Sequence, residues 1–274
     1  MSLFRQAIPY CGPPPGPAAI LSRWRLDPIV LALLAAILAL YLFGAARQGL
    51  SRRQRSAFIG GWAVASLALV SPLCPLSVSL FAARASQHVM LTLVAVPLLA
   101  AGAPWRAIRP RRIGVRAGGA GNGSAGGHAL AAASAFALVV WFWHAPGPYD
   151  LTFASTLVYW TMHVTMIGSA LWLWSQLLCA RDAAPVQKVA AGLVSSIQMG
   201  FLGALITLAP QPLYAVHART TLAWGLTQLQ DQQLGGAIMW IPGCIAFLAV
   251  AMFDLARTFE RRGWSAAAAG AAPR

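Results

Sequence analysis

The chain carries very little charge, and almost none of it is acidic. Only six of its 274 residues are Asp or Glu and 20 are Lys or Arg, whereas 58% are hydrophobic. A soluble globule of this size needs more polar surface than this to cover its exterior. The shortage of charge therefore excludes an ordinary soluble protein and predicts an all-α, polytopic membrane protein.

The sequence also lacks the patterns of common enzymes and redox proteins. No Ser-His-Asp set, pair of carboxylates or phosphate-binding loop is recognisable, so we predict that the chain is not an enzyme. The four cysteines are far apart and form no Cys-x-x-Cys pair, which argues against a redox dithiol or a thiolate metal site of that kind. Cys179 is expected at the cytoplasmic side and Cys244 within a helix, so a disulfide between them is not expected. This leaves Cys11 with Cys74 as the one conceivable pair.

What the chain has instead is a series of apolar runs of about 20 residues, the length that crosses a bilayer as a helix. They predict a helical bundle with about seven transmembrane helices, at residues 28–46, 57–76, 77–101, 128–144, 152–179, 186–209 and 233–256. The stretch MSLFRQAIPYCGPPPGPAAI lacks the apolar core of a signal peptide, so the first run is expected to be a retained helix. The predicted organisation is a tail (1–27), a membrane domain (28–257) with a flexible loop (103–127), and a second tail (258–274).

The net charge of +14 is spread over short connections between the apolar runs rather than over one face. This pattern favours membrane topology over nucleic-acid binding, because short cytoplasmic loops collect Lys and Arg. We therefore expect the cytoplasmic membrane, with the amino terminus outside, the carboxyl terminus in the cytoplasm, and the loop arginines against anionic lipid headgroups. The tail residues Arg5, Arg23 and Arg25 are the main features opposing this orientation.

Several polar residues lie where hydrocarbon is predicted. Arg84 and His88 are one helical turn apart in LSVSLFAARASQHVMLTLVAVPLLAAG, and His163 lies at a similar depth in the fifth run. Polar groups at membrane depth must be paired or face water, so they are functional candidates. The same end of the bundle is expected to carry further candidates, namely His144, Asp150, His217, Asp231, Gln232 and Gln233.

The histidines are accompanied by methionines, and this combination suggests copper. Neutral imidazole binds copper, zinc or haem iron, and thioether sulfur favours cuprous copper. We predict a His/Met copper site among the histidines at this end of the bundle, where His88 and His163 lie at a similar level. Its candidate thioethers are Met90, Met162, Met166, Met199 and Met239. The alternative is that each histidine hydrogen-bonds a carbonyl and that the methionines only pack.

Arg84 needs a partner of its own. An unpaired arginine in hydrocarbon costs roughly 2.5 to 3.5 kcal/mol. With so few acids available, we expect Arg84 to contact Asp231 or Asp150. The alternative is that its side chain reaches the lipid headgroups.

Several blocks in a fixed order carry a family resemblance. They are SPL at Ser71–Leu73, QHVML and PLLAAGAP in the third run, WHAPGPYD at Trp143–Asp150, and LTQLQDQQLGGAIMWIPG at 226–243. In these blocks the chain resembles the CtaG-type polytopic cytochrome c oxidase assembly factors. The resemblance implies a role in maturing a haem-copper oxidase, contact with its subunits, and handling of copper.

By position, His88, His144 and His163 match the family's histidines, so the resemblance implies that these three are the copper ligands. Its last signature is matched by Asp231, Gln232, Gln233, Gly235, Gly236 and Trp240. The family usually reads Phe-Ser-x-His-Met-x-Gln-His in the third run, whereas this chain reads FAARASQH, with Arg84 and Ala85 in place of His-Met. Two other functions stay open: a transporter of copper or another small solute, and a haem protein with His88 and His163 as axial ligands.

Overall fold

The computed structural model describes residues 8–108, 128–180 and 184–270, with side chains described up to residue 260. These residues form helices and connecting turns and contain no strand, so the all-α prediction is confirmed. Most of the predicted flexible loop lies outside the described residues. The same is true of several predicted loop and tail arginines, namely Arg5, Arg109, Arg111, Arg112, Arg116 and Arg181.

The helices follow one another closely along the chain. In order they are α1 (Pro28–Arg47), α2 (Arg52–Val70), α3 (Leu73–Ser79), α4 (Phe81–Val89), α5 (Val96–Ala101), α6 (Pro104–Ile108), α7 (His128–His144), α8 (Pro146–Ala154), α9 (Thr156–Leu178), α10 (Pro185–Leu208) and α11 (Gln228–Gly270). A π-helical segment, Met90–Ala95, joins α4 to α5, so that Phe81–Ala101 forms one continuous stretch.

Four helical stretches among the described residues are long and apolar enough to cross a membrane, or up to six if each of two bent pairs counts as one span. The four are α1, Phe81–Ala101, α10 and the Gln228–Glu260 part of α11. The bent pairs are α2 with α3 and α7 with α8. Helix α9 falls outside this set because its histidine, tyrosine, threonines and tryptophans lower its mean hydropathy. The membrane bundle is thus confirmed, while the count of seven and the orientation stay predictions.

The local sequence explains where α1 begins and where the π-helical segment gives way to α5. The Asp27 carboxylate accepts the Ile29 N–H at 2.9 Å and caps α1, whose first residue is Pro28. Pro97 lies at the start of α5, directly after the π-helical segment. Because proline has no N–H for the carbonyl four residues earlier, the regular hydrogen-bond pattern cannot continue through this point.

Phe81–Ala101 runs through the centre of the bundle. Of its membrane-length part 61% is buried, against 17% for α1 at the periphery. Glycines let α11 approach its neighbours closely: a Cβ on Gly235 would collide with the Phe81 ring, and one on Gly203 would lie 2.7 Å from Trp240 Cβ. The predicted functional residue Trp240 therefore lies in the contact between α10 and α11. This packing fixes α4, and with it Arg84 and His88, against α11.

Candidate metal site in the helix bundle

Three buried histidines converge near the end of the bundle where α4 begins. His88 lies on α4, His144 is the last residue of α7, and His163 lies in the first half of α9. Each side chain is less than 5% exposed. The centroid of the His88 ring is 5.7 Å from that of His144 and 5.7 Å from that of His163. The structure thus brings together all three predicted ligand residues, with His88 in the middle.

Two of the three rings are held in one orientation by backbone hydrogen bonds. His144 Nδ1 lies 2.7 Å from the Val140 carbonyl oxygen, and His163 Nδ1 lies 2.9 Å from that of Tyr159. Because a carbonyl oxygen can only accept, Nδ1 carries the proton in both rings and Nε2 keeps its lone pair. Histidines that bind metals commonly use one ring nitrogen in this way to fix the other as the ligand.

The His88 ring has no such support. Among the described residues, neither of its buried nitrogens has a hydrogen-bond partner, and the same holds for Nε2 of His163. The nearby Thr92 hydroxyl donates to the backbone carbonyl of His88 at 2.7 Å and leaves the ring alone. Since a buried polar atom without a partner is unfavourable, this ring has an unused capacity to bind a ligand.

Thioether groups complete the surroundings. A cavity of ≈ 10 Å³ lies beside His88 and His144, and Met166, Met199 and Met239 line it together with apolar side chains. Of the five predicted methionines, Met90 and Met162 do not line it. The cavity has room for about one water-sized particle. A porphyrin would not fit there, so the geometry does not favour the haem alternative.

The donor set fits a cuprous ion in its chemistry, since neutral imidazole and thioether are donors that this soft ion accepts. As they stand, the described residues include no group of three or more His, Cys, Asp or Glu side chains that could hold a metal ion. The His144 and His163 rings, which are fixed by hydrogen bonds, lie on either side of the His88 ring, whose nitrogens form none with the described residues. A shared ion would therefore require His88 to move towards its neighbours.

Arg84 lies one turn before His88 and has an aromatic environment. Its side chain is only 1% exposed, and its guanidinium carbon lies 4.4 Å from the ring centroid of Phe153, with Tyr159 and Tyr149 at 5.5 and 5.8 Å. Its Nε and Nη1 atoms have no hydrogen-bond partner within the described ranges. The burial rules out the lipid-headgroup alternative. Cation–π contacts take the place of a counter-ion.

The predicted contact of Arg84 with Asp231 or Asp150 is wrong, because neither carboxylate forms an ion pair with it. Asp231 is used elsewhere: its oxygens accept the backbone N–H groups of Phe81 at 2.7 Å and Ala82 at 3.0 Å. The first turn of α4 has no cap from its own chain segment, and this carboxylate supplies one from α11. Asp150 is partly buried on α8, and its Oδ1 accepts no hydrogen bond from the residues that the structure describes.

The remaining predicted site residues hold the bundle around the cluster rather than contacting it. The Gln232 side chain accepts the Leu213 N–H at 2.6 Å and donates to the Ile206 carbonyl at 3.1 Å. The Gln233 carbonyl accepts the Thr207 hydroxyl at 3.4 Å. These bonds attach the start of α11 to the end of α10 and to the loop between them.

The structure also shows two aromatic residues near Arg84 that the sequence patterns did not select, Tyr149 and Phe153. The Tyr149 hydroxyl and His217 Nε2 are 2.8 Å apart, and the His217 ring packs against Phe153. His217 lies in the loop between α10 and α11, where burial and the charge of Arg84 lower its pKa to about 3. In the sequence, no acidic residue lies within one helical turn of Arg84, and this was the available sign of an aromatic environment. Aromatic residues are too common in this chain for the sequence to identify Tyr149 and Phe153 in particular.

The fold and the cluster define a helical membrane protein that encloses a small group of imidazole and thioether side chains. The family model described as cytochrome c oxidase caa3 assembly factor (Caa3_CtaG) matches residues 24–261. The chain belongs to this family, which confirms the resemblance in its sequence blocks. No curated protein and no solved structure matches the chain.

Proposed function

We propose that the chain is a non-enzymatic assembly factor of the cytoplasmic membrane that holds a cuprous ion and delivers it to a subunit of a maturing haem-copper cytochrome c oxidase. Membership of the family supports the assembly role. The copper part rests on one observation, the buried His88 ring with two unpartnered nitrogens between His144 and His163. When bound, copper would be the cargo and the chain would take no part in its redox chemistry.

The lining of the cavity favours a soft, monovalent ion. No carboxylate lines it, so it lacks the oxygen ligands that hard cations such as Mg²⁺ or Ca²⁺ prefer. Arg84 adds a fixed positive charge one turn from His88. Because Coulomb repulsion grows with the charge of the bound ion, this arginine opposes a divalent ion more than a monovalent one. Both features favour Cu(I) over Cu(II) or Zn(II).

The distribution of buried ionisable groups supports delivery at one membrane face rather than passage across the bilayer. Among the described residues, the buried Arg, His and Asp side chains are Arg84, His88, His144, His163, His217 and Asp231. They lie towards the bundle end that contains the start of α4, the end of α7 and the start of α11. Towards the other end of Phe81–Ala101, residues 93–101 are all apolar. An ion bound at the cluster can therefore leave more readily at the near end.

The test is deletion of the gene, followed by purification of the oxidase and measurement of its copper content and spectrum. We expect the deletion to lower the copper content. The wild-type chain should restore it, and so should His128→Leu, which changes an exposed histidine away from the cluster. His88→Leu should accumulate in the membrane without restoring it.

The two parts of the proposal fail separately. Normal copper content in the deletion strain would contradict the assembly role itself. Full restoration by His88→Leu would leave the assembly role intact and contradict copper binding at the cluster.

A further inference from the structure

A pair of sulfur atoms lies close to the histidine cluster. Cys11 and Cys74 form a disulfide, with their Cα atoms 5.5 Å apart, which attaches the amino-terminal segment to the start of α3. Both residues are buried, but Cys11 borders a cavity of ≈ 160 Å³ that is also lined by Arg23 and Arg25. The other cysteines, Cys179 and Cys244, are not bonded to each other.

The Tyr159 side chain lies between this disulfide and the cluster. The Tyr159 hydroxyl oxygen is 3.4 Å from Cys11 Sγ and 3.7 Å from Cys74 Sγ. The ring of the same tyrosine lies 4.3 Å from the His163 ring, centroid to centroid. The cavity beside Cys11, the sulfur pair, Tyr159 and His163 therefore follow one another towards His88.

We propose that Cys11 and Cys74, when reduced, form a second site for a cuprous ion, from which the ion passes to the histidine cluster, and that their disulfide closes this site. The proposal rests on the proposed copper function. Thiolate sulfur is the protein ligand best suited to Cu(I), and two thiolates are enough to hold it. The larger cavity gives a donor of copper, or a reductant, access to Cys11.

A dithiol reductant can open the disulfide between Cys11 and Cys74. The reductant passes two electrons and two protons to the disulfide, its own sulfurs join in a new disulfide, and Cys11 and Cys74 become thiols. A cuprous ion then displaces both thiol protons and forms two copper–sulfur bonds, which gives a complex of charge −1.

The arginines beside the cavity suit this product. Arg23 brings a positive charge to the side of Cys11 that offsets the charge of a bis-thiolate copper complex, and Arg25 lies beside it, 3.8 Å from the Asp27 carboxylate. The histidine cluster has the opposite character: neutral donors with Arg84 nearby. A cuprous ion would move from an anionic site into a neutral one.

The experiment compares two forms of the purified full-length chain in detergent. One form keeps the disulfide, and the other is reduced and then freed of reductant under anaerobic conditions. Both are titrated with Cu(I) against a chromophoric competing chelator. We expect about one more equivalent of Cu(I) bound by the reduced form than by the disulfide form. X-ray absorption of the fully loaded reduced form should show thiolate sulfur in addition to imidazole nitrogen.

Matched variants assign the extra equivalent. Cys11→Ser with Cys74→Ser should remove it, whereas Cys179→Ser with Cys244→Ser should keep it. Alkylation of the reduced wild type should also remove it, which avoids dependence on the folding of the first double variant. Equal copper binding by the reduced and disulfide forms would overturn the proposal.

The same titration separates this inference from the proposed function. One equivalent in both forms would keep copper at the histidine cluster and overturn the sulfur site. No copper in the disulfide form and one equivalent in the reduced form would keep the sulfur site and contradict the cluster.

Discussion

Arg84 and His88 lie one turn apart on α4, yet their surroundings are opposite in character. The Arg84 guanidinium lies among aromatic rings, with Phe153 nearest at 4.4 Å, and no carboxylate in the described part of the chain forms an ion pair with it. The His88 ring lies between two imidazoles and beside a thioether-lined cavity. The surroundings of Arg84 already contain a cation, the guanidinium itself. The surroundings of His88 contain imidazole nitrogens and thioether sulfurs whose lone pairs could bind one. The fixed charge of Arg84 therefore influences which cation the surroundings of His88 accept.

The largest expected effect is a loss of stability when the contact between Asp231 and the start of α4 is weakened, since this contact positions both Arg84 and His88. Asp231→Asn replaces the carboxylate that accepts the N–H groups of Phe81 and Ala82 with a single carbonyl oxygen. Hydrogen bonds to charged groups contribute roughly 1.5 to 3 kcal/mol each, so we expect a loss of about 3 kcal/mol in the free energy of unfolding. The measurement is denaturant unfolding of the purified chain in detergent micelles.

The matched control is Asp27→Asn, which changes a similar cap at the exposed start of α1. It should destabilise the chain less, because water can replace the lost acceptor. Equal losses for the two variants would show that Asp231 has no special part in holding α4.

The second prediction separates binding from stability at His88. His88→Leu should weaken Cu(I) binding by about a hundredfold, because it removes the central ligand. The metal-free protein should become about 1 kcal/mol more stable, since two unpartnered buried nitrogens are removed. Chelator competition measures the first effect and denaturant unfolding the second.

His144→Leu provides the contrast for this prediction. It should also weaken copper binding, but it removes the hydrogen bond to the Val140 carbonyl and should therefore lower stability. If His88→Leu were as destabilising as His144→Leu, the His88 ring would have a structural partner that the account does not include.

The third prediction concerns pH and the surroundings of Arg84. His217 has its pKa lowered from 6.5 to about 3, so the folded chain keeps it neutral where the unfolded chain protonates it. Its contribution to stability is complete above pH 6.5 and is lost progressively as the pH falls towards 3. At pH 5 this loss amounts to about 2 kcal/mol relative to pH 7. His217→Gln should lack this part of the pH dependence.

Unfolding at pH 7 and pH 5 measures the difference between the wild type and this variant. The exposed His128→Gln serves as the control and should follow the wild type. Equal pH dependence in wild type and His217→Gln would contradict the burial of a neutral His217 beside Arg84 and Tyr149.

The smallest expected effect is that of the fixed charge itself. Arg84→Met should tighten Cu(I) binding about tenfold, since at an effective dielectric constant near 20 the repulsion between nearby charges is on the order of 1 to 2 kcal/mol. The gain should be larger for Cu(II). Arg84→Lys keeps the charge and should bind both ions about as the wild type does. If Arg84→Met bound both ions no more tightly than Arg84→Lys, the charge would have no influence on the cluster.

Much of the fold followed from simple regularities in the sequence. Apolar runs of membrane length located the helices, and counting residues along them placed His88 and His163 at one level. The predicted topology had left Cys11 with Cys74 as the one conceivable disulfide, and the structure contains this pair. The number of spans is harder to obtain, because α2 and α7 continue into bent partners and α9 is polar for a membrane helix.

The partner of Arg84 could not be obtained in this way. Counting charges made Asp231 a candidate, but that carboxylate is bound to backbone groups 150 residues away in sequence, at Phe81. Hydrogen-bond donors on the backbone are invisible to a census of side chains. The same reason explains why His144 and His163 were recognised as candidates while the orientation of their rings was not.

The most direct test of the copper cluster is X-ray absorption at the copper edge, on the purified chain with its disulfide intact and one equivalent of Cu(I) added. We predict a bound ion surrounded by imidazole nitrogen and thioether sulfur, with this signal lost in His88→Leu and kept in His128→Leu. A chain that retains no copper, or a bound copper without imidazole nitrogen, would contradict it.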